Sequence, residues 1–135
     1  MDLSRAKPTT LEEAVDFLDG ELNREGRDII NAATSMATFH HGIGQTMRNA
    51  WHLWEPSSPL QQHFQKRFGL GMADDISGLI LEELGCRIKG IPHNRADTIK
   101  RYRDHWIRQG LDPVTLKAPR PTRLGIIKDI LRGIS

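Results

Sequence analysis

The residues best suited to chemistry in this chain fall in one stretch, Phe39-His40-His41-Gly42-Ile43-Gly44 followed by Arg48-Asn49-Ala50-Trp51-His52-Leu53-Trp54. Adjacent imidazoles titrate near neutrality and could serve as acid, base or metal ligand. A glycine-rich approach to a helix could present backbone amides to a phosphate. Arg48 follows His41 by seven residues and Gly44 by four, so the three can share one helical ridge. The acidic pair Asp74-Asp75 is the natural counter-charge for Arg48. His41, Arg48, Asp74 and Asp75 are therefore the candidate functional cluster, and with His40 they make the set an enzyme would need.

Each of these signals also has a structural explanation. The helical zinc motif places two histidines at i and i+4 with a glutamate between them, and the chain lacks it. His52 and His63 do not fall in ligand register with the first pair, so no metal site is expected. Gly42 and Gly44 stand without a GxxxxGK[ST] motif or a preceding strand, so neither nucleotide nor any other cofactor is expected. Trp51 and Trp54 share a helical stripe and read as core anchors, with Arg48 in a structural ion pair to Asp74 or Asp75. No Ser/His/Asp or Cys/His arrangement announces a nucleophile. The chemistry leans away from an enzyme.

The elements that must position these residues are helical. Leu11, Ala14, Val15, Leu18 and Leu22 follow the spacing of one helix face, and Thr10 with Glu13 forms a capping box ahead of it. A second helix is predicted from about Arg24 to Thr38, with Ile29, Ile30, Ala33 and Met36 inward. Ile43, Met47, Ala50, Trp51 and Trp54 give the third, stopped by Pro56 and Pro59. Ser58 caps the fourth, whose buried edge is Leu60, Phe64 and Phe68. Asp74 or Asp75 caps a fifth bearing Ile76, Leu79, Ile80 and Leu84; Asn94 caps a sixth bearing Ile99, Tyr102 and Trp106. Pro113, Pro119 and Pro121 mark an extended connector, and Thr122 caps a last short helix carrying Leu124, Ile127, Ile130, Leu131 and Ile134. No alternating strand pattern competes. The expected fold is all-α, a compact bundle of about six or seven helices with a basic C-terminal helical extension.

At 135 residues the chain is the size of one domain, and its 38% apolar and 27% charged shares exclude wholesale disorder. Cys86 is its single cysteine, so no disulfide forms within it. It shows no signal-like apolar start and no membrane-length run, so a cytoplasmic protein without membrane contact is expected. The net charge of +2 hides a division: residues 1–86 carry 7 Lys+Arg against 13 Asp+Glu, and residues 87–135 carry 12 against 4. Gly90-Ile91-Pro92 is the natural boundary between an acidic core, residues 1–91, and a basic extension, residues 92–135, packed on it or tethered to it.

That extension offers Lys100, Arg101, Arg103, Arg108, Lys117, Arg120 and Arg123 as contacts for nucleic acid or an acidic partner, with Tyr102 and Trp106 interleaved. Asp97–Arg101, Lys100–Asp104 and Asp104–Arg108 sit at i, i+4, the pattern of a solvated helix face. A further expectation is that the basic part docks on the acidic part.

His41-Gly42-Ile43-Gly44, Arg48-Asn49, Trp51, Leu53-Trp54, Leu60, Phe64, Asp74-Asp75-Ile76-Ser77 and Ile80-Leu81 together resemble a family of bacterial and phage proteins, a domain of unknown function. The resemblance covers roughly residues 8–91. It implies a compact helical fold and brings no activity, substrate or cofactor. The function expected is a non-enzymatic interaction protein, an adaptor, immunity protein or inhibitor that masks a surface of another protein. Nucleic-acid binding through the basic third is the alternative, and an enzyme built on His40, His41, Arg48, Asp74 and Asp75 the weaker one.

Overall fold

The longest apolar stripe makes the central helix. In the computed structural model, which describes residues 1–118, six α-helices run in chain order and no strand occurs among the described residues. They are α1 (Leu11–Glu21), α2 (Arg24–Ala32), α3 (Gln45–Ala50), α4 (Pro59–Phe68), α5 (Ala73–Lys89) and α6 (Arg95–Arg108). Helix α5 touches each of the other five. It can do so because Ala73, Ile76, Ser77, Leu79, Ile80, Leu81, Leu84 and Gly85 bury more than half its circumference. Leu11, Val15 and Leu18 of α1 and Leu60, Phe64 and Phe68 of α4 complete the core.

Local signals set most of the helix starts. Thr10 accepts from the Glu13 amide and Glu13 reaches back to the Thr9 amide at 2.8 Å, so α1 opens with a reciprocal cap. Ser58 and Asn94 cap α4 and α6 through the Gln61 and Asp97 amides. Helix α5 departs from expectation: Met72 holds the cap position, and Asp74 and Asp75 lie in the first turn. There they complement the dipole without capping.

Two other segments differ from the sequence reading. Helix α2 stops at Ala32, six residues short of Thr38, because Ala33 turns extended and Ser35 caps a separate 3-10 turn, Met36–Phe39. Of the neighbours Ile29 and Ile30, only Ile30 is buried: they point about 100° apart, and α2 buries a face too narrow to take both. The second difference follows a π turn, His40–Gly44, that leads into α3. That helix ends at Ala50, and His52 takes a left-handed φ of 52°. The extra turn resets the register, so Leu53 is fully buried and Trp54 is 54% exposed. Trp51 remains a core anchor; Trp54 does not.

Chain closure depends on Gly69 and Gly71. Gly69 ends α4 at a φ of 65°, and the Leu70 amide returns to the Phe64 carbonyl. The Gly71 amide donates to the Pro113 carbonyl at 3.0 Å, tying the segment after α6 to the start of α5. A Cβ at Gly71 would lie 1.9 Å from the Val114 carbonyl oxygen, which is backbone and cannot rotate away. Gly71→Ala is expected to cost about 2 kcal/mol, read as a lower urea midpoint together with faster proteolysis near Lys117.

One histidine ties α1 to α4, beside the Arg67–Glu12 ion pair at 2.6 Å. His63 Nε2 accepts the Leu11 amide at 3.1 Å, so the contact needs the neutral ring. Burial, more than the neighbouring Arg67, holds the His63 pKa below the usual 6.5, while Glu12 and Glu13 oppose the shift. Below that value the unfolded chain takes a proton more readily than the folded one. This contact therefore stabilises fully above the unfolded pKa and is lost as pH falls through the lowered folded value. Urea midpoints from neutral to mildly acid pH are expected to fall more steeply for the wild type than for His63→Gln, which keeps an acceptor without titrating.

Candidate functional site

Arg48 is the centre of the cluster, and it is 3% exposed. Its Nη1 donates to Ser77 Oγ at 2.9 Å and its Nη2 to the His40 carbonyl at 3.1 Å. Its Nε lies 3.2 Å from Asp74 Oδ1, at ion-pair distance but without the alignment of a hydrogen bond. The His40 ring is 3.4 Å from Nη1 through Nδ1, and its Nε2 is 4.0 Å from the same Asp74 oxygen. Trp54 places its ring centroid 5.9 Å from the guanidinium carbon. The guanidinium thus joins the π turn, the 51–54 turn and the first turn of α5.

Above this buried pair opens a cleft of about 530 Å³ between α5, α6 and residues 35–41. His40, His41, Asp74 and Asp75 line it, with Glu82, Arg101 and Tyr102 on the α6 side. His41 is exposed and packs edge-on against His40, with ring centroids 4.9 Å apart; His40, not His41, touches Arg48. Asp75 does not share Arg48 with Asp74. Its Oδ2 accepts the Trp106 indole N–H at 2.7 Å. Burial raises the Asp75 pKa, the indole partly offsets this, and the Asp74 charge adds to the rise. Burial likewise pushes the Tyr102 hydroxyl well above its ordinary value. That hydroxyl lies over Gly78, where any Cβ would sit 2.4 Å from it.

The basic residues of α6 are largely paired within the molecule, Lys100 and Arg101 at its surface. Arg101 pairs with Glu82 at 3.3 Å, Lys100 with Asp104 at 2.5 Å, and Arg103 donates to the Gly69 carbonyl at 2.6 Å. Arg95 pairs with Glu83 at 2.5 Å and with Glu12 at 3.7 Å. His93 sits between Glu83 Oε1 at 3.0 Å and the Thr98 hydroxyl at 2.9 Å. The charge division of the sequence is in this part an attraction between α6 and the acidic faces of α1 and α5. Arg108 and Lys117 are exposed, and Arg120, Arg123 and the last predicted helix lie outside the described residues.

Sequence reasoning missed Ser77, Glu82 and Tyr102 as neighbours of the cluster. Asp74, Ser77 and Leu81, like Asp75, Gly78 and Glu82, are spaced by three and four, so α5 alone could have suggested the first two. Tyr102 carried no such signal. Among the described residues, no group of three or more His, Cys, Asp or Glu side chains is placed to hold a metal ion. No described helix is long and apolar enough to cross a membrane.

Residues 7–87 match the model of a family described as Domain of unknown function (DUF6794). The match takes in α1 to α4 and most of α5, the floor of the cleft, but not the α6 wall. No curated protein matches the chain. No solved structure matches it.

Proposed function

We propose, for a chain that belongs to the DUF6794 family, a non-enzymatic protein-interaction role in which the cleft and the neighbouring Trp54 mask a surface of another protein. The observation that carries this reading is the exposure of Trp54, a large aromatic ring near the Arg48 guanidinium, whose neighbours His40 and Asp74 line the cleft. Indole rings offer wide contact area at low entropic cost and are over-represented among residues that dominate binding energy. Catalysis has weaker support. Arg48 is occupied by Ser77, His40 and Asp74, so its donors do not reach a substrate in the cleft. Nucleic-acid binding has weaker support as well, because Arg103 is held by the Gly69 carbonyl, and a phosphate would have to displace Asp104 from the exposed Lys100 and Glu82 from the exposed Arg101. An adaptor or an inhibitor, including an immunity protein of phage or bacterial origin, fits the proposed mode of action.

The test compares capture of partners from the source cells by wild-type protein and by Trp54→Ala. A specific partner is expected with the wild type, bound roughly tenfold more weakly by the variant, whose melting curve stays nearly unchanged. Identical capture by both proteins refutes the reading. Steeply salt-dependent binding to DNA or RNA, reduced by Arg101→Ala and Arg103→Ala, would favour the nucleic-acid alternative instead.

A further inference from the structure

We infer that the trough between α5, α6 and residues 35–41 receives a lysine or arginine side chain of the partner protein and seats it on Asp75. This rests on the interaction reading above and adds the chemistry of what is bound. The cleft of about 530 Å³ adjoins a second cavity of about 420 Å³, and both are lined by Ser35, Met36, Glu82 and Arg101. Met36 packs over Gly85 and the Tyr102 hydroxyl over Gly78, so side chains interrupt the α5 face between the two, and the first cavity alone is the trough.

Charge selects what the trough accepts. The Asp74 charge is matched by Arg48 and the Glu82 charge by Arg101. Asp75 is half-buried and has the Trp106 indole as its hydrogen-bond donor, with no Lys or Arg paired to it among the described residues. A carboxylate removed from water with one neutral donor and only the His105 imidazole as a favourable neighbouring charge is poorly compensated, and its raised pKa expresses that cost. An anionic segment would meet Asp74, Asp75 and Glu82 together. An apolar side chain would desolvate Asp75 further without pairing it. An ammonium or guanidinium restores the balance and also meets the rings of Tyr102 and His40, which line the same cavity.

The Trp106 indole N–H reports directly on Asp75, and the buried Trp51 indole serves as internal reference. The experiment titrates ¹⁵N-labelled full chain with blocked Ala-Leu-Arg-Ala-Leu-Ala and with the same peptide carrying norleucine in place of arginine. The arginine peptide is expected to shift the Trp106 resonance saturably, and to bind roughly tenfold more tightly than the norleucine peptide. That difference should shrink with added salt and vanish in Asp75→Asn, which keeps an oxygen acceptor for the indole. Equal binding of the two peptides, no Trp106 shift, or unchanged binding by Asp75→Asn overturns the inference. So does a Trp106 resonance deaf to peptide but moved by the double change Arg120→Glu and Arg123→Glu, which would assign the trough to the chain's own segment. A shift that follows protein concentration without peptide would assign the trough to a second copy and overturn the inference equally. If Trp54→Ala abolishes partner capture while neither peptide binds, the interaction reading survives and only the cationic contact is lost.

Discussion

Arg48→Ala is expected to lower the stability of the fold by about 3 kcal/mol, the scale seen when one partner of a buried, hydrogen-bonded charge is removed. For a chain of this size that corresponds to a fall of about 10 °C in melting temperature. The effect is large because four groups lose one partner together. Ser77 Oγ, the His40 carbonyl and Asp74 each face the guanidinium, and Trp54 rests against it. Asp74, 39% exposed, can turn to water, which keeps the loss below the upper end of that scale. Lysine carries the charge but not the planar fork, so Arg48→Lys should recover less than half of the lost stability. Urea unfolding of the three proteins measures this, and a midpoint for Arg48→Ala within error of wild type would show that the pair is dispensable.

The two tryptophans of the 51–54 turn should behave oppositely. Trp51 is 5% exposed, donates its indole N–H to the Leu3 carbonyl at 3.0 Å and meets the edge of Phe17 at 6.2 Å. Trp51→Ala should cost about 4 kcal/mol, combining a large cavity with an orphaned carbonyl. Trp54→Ala should cost under about 1 kcal/mol, because more than half of the ring already faces water and only its contact with Arg48 is lost. Differential scanning calorimetry of the pair checks both values. Equal losses would mean that Trp54 is a core residue after all, and would remove the main support for its role in binding.

This contrast marks where sequence reasoning stops. The stripe Ile43, Met47, Ala50, Trp51 and Trp54 is a faithful helical pattern, yet one residue with a left-handed backbone breaks its register before Trp54. Histidine is enriched in that conformation but adopts it only in a minority of cases, so the pattern does not announce it. The early end of α2 has a similar origin, since Thr34 and Ser35 can satisfy backbone groups outside a helix as well as beside one. In the site, the acidic pair and Arg48 were legible as counter-charges. Which carboxylate takes which donor was not. Asp74 and Asp75 point about 100° apart around α5, one toward Arg48 and the other toward Trp106.

What the sequence by itself determined is everything that depends on neighbours within a few residues. The apolar spacing of α1, α4, α5 and α6, the caps at Thr10, Ser58 and Asn94 and the stop at Gly69 all act through neighbours a few residues apart. Only the tertiary structure decided what meets across long separations. It brought Arg48 to Ser77, Asp75 to Trp106, and Arg101 away from an expected nucleic-acid face onto Glu82. Those pairings arise when α3 and α6 dock on α5, where burying unmatched charge is costly and each carboxylate takes the best donor within reach. Chain order holds no record of that competition, because it is settled by distances that exist only once the helices have packed.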